Sequence, residues 1–332
     1  MHHIAKTLTR VTSRRPLRSI GQCVVFFSSS ADAPQMGKRL TPEEIAERRA
    51  KRAERKAASG DAKEEKSDAL FIEGSVRPYH RHYVIVEPQN TDPNSWPAKL
   101  ERTPEHILSS YMGALAKVYG GDIMKVKKSP LLVTAAIPYT GMCSGGLRDD
   151  SEPIESLEEG AHDILVFPDF VRVHNVVPSQ ISTLVSKSLE KNLDLPALLE
   201  QEKLQYTLME QEYHMMVCGH AARDERCGCK GPELLNWLKD AAPEANKPLN
   251  LWTSSHYGGH RYAAACIVYP SGDWFGLLNE EDKAKGMIDA VNNEDPLQVY
   301  ELWRGRMGLT AQEMHLAVKE RVENPEEVAE NA

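Results

Sequence analysis

Glu212-Tyr213-His214-Met215-Met216-Val217 runs straight into Cys218-Gly219-His220-Ala221-Ala222-Arg223-Asp224-Glu225-Arg226-Cys227-Gly228-Cys229. The first six residues, rich in apolar side chains, predict a strand. The rest packs three cysteines into twelve residues, a density that belongs to a metal site or a redox centre. Beyond it, Gly231-Pro232 marks the start of an expected helix over 232–242. Strands are expected at 249–254, 261–269 and 273–278, with Ser271-Gly272 turning the last two into a hairpin, and a helix at 280–292. Strand, helix, strand, hairpin, helix is a thioredoxin-like order, assigned to residues 207–312.

Upstream, the same reading yields a related unit over 70–191. Strands are expected at 83–87, 131–138 and 163–173, and helices at 103–118 and 178–191. Between the last two strands lies a glycine- and acid-rich loop, 142–162, that contains Cys143. Residues 192–206 read as a linker or an interdomain helix. The fold class is therefore α/β: a thioredoxin-like C-terminal domain preceded by a related α/β domain with a mixed sheet. At 332 residues and 41% hydrophobic content, the chain can build both cores.

The termini differ in character. Residues 1–31 hold Lys6, Arg10, Arg14, Arg15 and Arg18 with several Ser and Thr and no acid, the composition of a mitochondrial transit peptide. Removing them moves the formal charge from −8 to −13. So acidic a body argues against nucleic-acid binding and suits a basic protein partner. No apolar run approaches the roughly 18 residues of a membrane span. Residues 32–69 form a charged extension, helical or disordered, in which Thr41, Pro42 and Glu44 carry a helix-start signal. Residues 313–332 read as an acidic C-terminal tail.

Four side chains combine metal-binding chemistry with positions at strand ends or in loops: Cys218, Cys227, His256 and His260. Eight residues separate the cysteines, and Tyr257-Gly258-Gly259 separates the histidines. Two thiolates and two imidazoles suit a tetrahedral zinc or a 2Fe-2S cluster of mixed ligation. Two adjacent glycines make a helical His pair an unfavourable reading and let the backbone approach a bulky inorganic core. The cysteine spacer also exceeds the two to four residues of a zinc knuckle, and both features favour the cluster. His220 is a competing ligand. Cys266 reads as a buried strand residue, and Cys227-Gly228-Cys229 lacks the two-residue spacer of a thioredoxin dithiol. Arg223 and Arg226 read either as donors to cluster sulfur or as loop ties through Asp224 and Glu225.

Residues 217–228 and Ser255-His256-Tyr257-Gly258-Gly259-His260-Arg261-Tyr262-Ala263 resemble the two signatures of the sucrase/ferredoxin-like family, the thioredoxin-like ferredoxins. Further similarity lies in Ile267-Val268-Tyr269-Pro270, in Asp273-Trp274-Phe275-Gly276, in Leu302-Trp303-Arg304-Gly305-Arg306-Met307-Gly308-Leu309, and more weakly in Gly74-Ser75-Val76-Arg77-Pro78-Tyr79. The resemblance implies a 2Fe-2S cluster held by Cys218, Cys227, His256 and His260. Where some relatives carry a further cysteine, this chain has Lys230, with Cys229 one place earlier.

The resulting expectation is a protein of the mitochondrial matrix acting in one-electron transfer or redox sensing with an unidentified redox partner protein. Its mixed ligation would set a potential above that of all-cysteine clusters. The alternatives are an accessory subunit of a larger mitochondrial complex and a thiol-disulfide oxidoreductase. An electron-transfer protein is favoured over a stand-alone enzyme, since no glycine-rich nucleotide fingerprint is present.

Overall fold

The computed structural model describes residues 72–139 and 158–323. The segments read as a transit peptide and a charged extension, Cys143, and the last part of the segment read as an acidic tail lie outside the described residues. No described helix is long and apolar enough to cross a membrane.

Among the described residues, ten strands form a single sheet. In the first half, β1 (Arg81–Val86) pairs in parallel with β2 (Leu131–Pro138). A parallel pair needs a crossover, and here it is supplied by α1 (Ile107–Val118) and α2 (Ile123–Lys127). β1 also pairs antiparallel with β3 (His162–Phe167), and β3 with β4 (Val171–Val176). α3 (Pro178–Lys187) and α4 (Leu195–Gln201) lead to β5 (Tyr206–Leu208), which closes the edge on β4. The single strand expected over 163–173 is thus a hairpin, because Pro168 and Asp169 turn the chain and Phe170 takes a positive φ.

The second half repeats the scheme. β6 (Tyr213–Cys218) pairs in parallel with β7 (Leu249–Ser254) across α5 (Glu225–Ala241), then antiparallel with β8 (Cys266–Tyr269), which pairs with β9 (Asp273–Phe275). α6 (Glu281–Asn292) leads to β10 (Trp303–Arg306) on the outer edge. Sheet order is β10-β9-β8-β6-β7-β2-β1-β3-β4-β5, so the two halves are mirror sequences of one order, joined where β2 meets β7 antiparallel. This is the thioredoxin-like order expected for the second unit, present in both. α7 (Ala311–Glu323) then buries Met314 and Val318 on the core; the first part of the segment read as an acidic tail is this helix.

Strand alternation divides the core. On β1–β3 of the first half, Tyr83, Ile85, Ala135 and Val166 face the apolar cluster under α1, α3 and α4, while Val84, Ala136 and Phe167 face the second half. The halves also meet through matching residues. Phe167 ends β3 and Tyr269 ends β8, each is followed by proline, and their rings stack at 4.0 Å. His82 and His214 are the second residues of β1 and β6. His82 Nδ1 meets Tyr269 Oη at 2.7 Å, and His214 lies 5.2 Å from the Phe167 ring. Burial lowers both imidazoles, His82 to about 3 and His214 to about 4, so each is neutral in the fold.

Candidate metal centre

The helix that positions the site begins earlier than Pro232. Asp224 caps α5, its carboxylate accepting from Arg226 N–H at 3.1 Å, and Cys227 lies in the first turn. Gly228, Gly231 and Pro232 are poor helix formers, yet the helix runs through them. The glycines allow close approach: a Cβ on Gly231 would sit 2.4 Å from the Cys218 carbonyl oxygen, and one on Gly228 would sit 2.3 Å from Ala221 Cβ. The helix therefore lies hard against the strand end that carries Cys218.

Cys218 ends β6 and is buried, as is Cys227. His256 follows β7 on the loop whose glycines have φ of +108° (Gly258) and +75° (Gly259), conformations that exclude a helical His pair. The ligand atoms of Cys218, Cys227 and His256 all lie within 4.8 Å of one another. Cys218 Sγ and His256 Nδ1 are 3.8 Å apart. His260 adjoins this group, its ring 5.6 Å from that of His256, and is exposed at the start of a 3₁₀ turn, His260–Tyr262. Three of the four expected residues converge, and the fourth stands beside them.

The two thiols differ. A hydrogen bond shared with Cys218 pulls the Cys227 thiol down, with His256 adding to the effect against burial. The same hydrogen bond, then burial, pushes Cys218 up. Cys227 is thus the first thiolate, and its place in the first turn of α5, near the positive end of the helix dipole, favours that form. Cys229 is exposed. Two residues apart on a helix, Cys227 and Cys229 point to different sides. Cys266 is buried in β8, its thiol raised by burial.

Neighbouring side chains fix the loops. His220 is not one of the converging donors: its Nε2 meets Pro97 O at 3.0 Å, and its Nδ1 accepts from His256 N–H at 3.3 Å. It is a buried brace between the first half and the His256 backbone, with its ring edge-on to Trp96. Tyr257 Oη reaches Met216 O at 2.9 Å and Ala265 O at 2.7 Å, tying the same loop to β6. Arg226 is paired with Asp224, and Arg223 donates to Ala98 O, so both arginines hold loops.

Arg304, within β10, is only 1% exposed. Its guanidinium lies over the Tyr262 and Trp274 rings and against Gly259, where a Cβ would fall 2.1 Å from Nη2. Nε donates to Ser75 Oγ, while Nη1 is buried without a partner among the described residues. Tyr257, His220 and Arg304 supply the support that motif reading missed. The signal available for Arg304 was an arginine directly after an aromatic inside a short strand.

The donor set fits a metal centre. Two buried sulfurs and an imidazole converge, a second imidazole adjoins, and a buried guanidinium N–H lies against the ligand loop, where an anionic group would satisfy it.

Comparison with known proteins bears on kinship and on function. A protein of Debaryomyces hansenii called altered inheritance of mitochondria protein 32 is 25% identical over 70% of this chain and 84% of its own length. Proteins of that name from Kluyveromyces lactis (25%, 67% of this chain, 69% of the relative) and Meyerozyma guilliermondii (23%, 64% and 75%) are similar. A thioredoxin-like [2Fe-2S] ferredoxin from Aquifex aeolicus aligns with 28% of this chain and 91% of its own at 14% identity and a TM-score of 0.23. The relatives are named for mitochondrial inheritance and not as electron-transfer proteins. That overturns the expectation of one-electron transfer or redox sensing, together with its alternatives of an accessory subunit or a thiol oxidoreductase. What stands is the link of these relatives to mitochondria and the kinship itself: the sucrase/ferredoxin-like pattern matches residues 72–305, and the chain belongs to that family.

Proposed function

We propose that this chain holds a metal centre, a 2Fe-2S cluster in preference to zinc, in the mitochondrial matrix, and that mitochondrial inheritance, the trait for which its relatives are named, depends on that centre. The observation that carries the reading is the convergence of Cys218, Cys227 and His256 within 4.8 Å, with the His260 ring 5.6 Å from that of His256. Bound there, two thiolates and two neutral imidazoles around a core of two positive charges would make a centre close to neutral. The chain's own residues then have defined tasks. Cys227 offers the first thiolate, and Cys218 gives up its proton when the centre is bound. His220 holds the His256 backbone, Tyr257 pins the loop to β6, and Arg304 fills the space behind Gly259. Burial of both sulfurs keeps water from the thiolate side.

The test is anaerobic purification of the full chain with iron, sulfide and zinc analysis and visible and EPR spectra. Two irons and two sulfides per chain, lost in Cys227→Ser, are expected; a colourless protein with one zinc overturns the cluster. In Kluyveromyces lactis lacking its own relative, the wild-type chain should restore mitochondrial inheritance and Cys227→Ser should not. Equal rescue by both would separate inheritance from the centre.

A further inference from the structure

A cavity of about 290 Å³ lies beside the metal centre, between the first half of the molecule and the His256 loop. Its lining has two chemistries. Leu108, Met112 and Leu115 of α1 with Val126 and Leu131 supply apolar surface. Arg77, Lys127 and Arg223 supply positive charge, and Glu101 is the one acid among the described lining residues. In a chain of net charge −8, such a local excess of positive charge is a departure from the whole. Pockets that hold small organic ligands begin at about 300 Å³ and combine an apolar body with a few placed polar groups.

Arg77 is the decisive group. It is partly buried, and its Nη1 and Nη2 donate to the carbonyls of Ser129 and Leu131. No carboxylate pairs with it among the described residues, whereas Arg223 has Glu101 at 3.9 Å, and Arg81, Arg172 and Arg306 have the close acids Asp169, Asp163 and Asp273. Burial lowers its pKa, the direction expected of a guanidinium that has lost water without gaining an anion. A planar fork with donors to spare on the wall of a cavity matches a carboxylate or a phosphate. Gly258 also lines the cavity without a side chain, and a Cβ there would meet nothing within 4 Å. His256 lines the cavity too, so an occupant would touch a proposed ligand of the metal.

We infer that this cavity is a binding site for a small amphipathic organic anion, its head on Arg77 and its apolar body against α1, beside the His256 loop. The site is built by Arg77 and α1 and does not require the metal, so it can stand or fall separately from the centre.

The experiment titrates the full chain by calorimetry with octanoate, octyl phosphate, 1-octanol and octylamine, with the metal content of every sample measured alongside. Both anions should bind, and 1-octanol should bind at least about tenfold more weakly, the factor that one charge-assisted hydrogen bond supplies. Octylamine should give no binding heat. The ratio of the two anions identifies a carboxylate or a phosphate head. Arg77→Met should weaken both anions at least about tenfold. Met112→Trp, at a half-buried position in the apolar lining, should block them while leaving Arg77 and its carbonyl bonds in place. The inference is overturned if neither anion binds, if 1-octanol binds as tightly as octanoate, or if octanoate affinity is unchanged in folded Arg77→Met and Met112→Trp; the last result would make Arg77 a clamp for two carbonyls and nothing more.

Discussion

The two halves of the molecule share a strand order and even a pair of buried histidines, yet only one carries a metal-type donor set among the described residues. β6 ends on Cys218 and β7 leads to His256, while β1 ends on Val86 and β2 on Pro138. The sheet is common to both, and the difference lies in what the strand ends and the following loops contain. A fold can supply strand ends close to a helix N-terminus; chemistry comes from the few residues placed there. The first half uses its positions for packing, and through Pro97, which accepts from His220, it braces the other half's site.

The largest effect that tests this asymmetry is on metal content. Cys218→Ser or Cys227→Ser should remove essentially all bound metal, because each takes away one of three converging donors. Glu87→Gln, just past the corresponding strand of the first half, should leave metal content unchanged. Elemental analysis of the purified variants decides between them, and metal loss in Glu87→Gln would show that both halves contribute.

Next in size is an effect the halves should share. His82 and His214 are buried and neutral, with folded pKa values of about 3 and about 4. The unfolded chain takes up protons at about pH 6.5, so stability is intact above that pH and falls as pH drops below it, toward the folded values. At pH 5 the loss should be roughly 2 kcal/mol for each histidine, from about 1.4 kcal/mol per pH unit. Arg77 near His82 adds to the cost of charging it. Urea midpoints measured from pH 7 to 5 should show the decline, and His82→Gln or His214→Gln should each make it shallower, with a remainder from His80, His162 and His220, which burial also lowers. A slope unchanged in both variants would mean that neither His82 nor His214 is buried neutral.

This repeat of halves was only partly legible in the sequence. The order of elements was readable in both, because the apolar runs at Leu131–Pro138 and Leu249–Ser254 stand between turn residues. No residue repeat announced it, since Phe167 and Tyr269, or His82 and His214, match in position while their neighbours differ. The ligand types were legible because thiols and imidazoles at strand ends have few structural uses. The start of α5 was not. Gly228, Gly231 and Pro232 carry the signature of a loop, and only the closeness of the Cys218 carbonyl explains why helix tolerates them. Arg304 and His220 act through long-range packing, which local pattern does not encode.

A pair of glycine substitutions turns that point into a finer comparison. Gly231 and Gly113 both lie inside helices, α5 of the second half and α1 of the first. By propensity alone each should gain about 1 kcal/mol on change to alanine. At Gly231 the new Cβ would lie 2.4 Å from the Cys218 carbonyl oxygen, a backbone atom that cannot swing away. Gly231→Ala should therefore cost about 1–3 kcal/mol net and weaken metal retention against a chelator, since α5 must lift off the strand end that bears a ligand.

Gly113 gives the smallest effect and the cleanest contrast. It is exposed on α1, and a Cβ there meets nothing within 4 Å. With a negative, helical φ already in place, alanine adopts the same backbone and restricts the unfolded chain, so Gly113→Ala should stabilise by about 0.5–1 kcal/mol. Metal content should be untouched. Opposite signs for the two substitutions, read from urea midpoints at equal metal loading, would show that glycine in α5 is kept for contact with the site and glycine in α1 is not. If Gly231→Ala were as stabilising as Gly113→Ala, α5 would have room to spare above Cys218, and the close packing that places Cys227 beside it would be wrong.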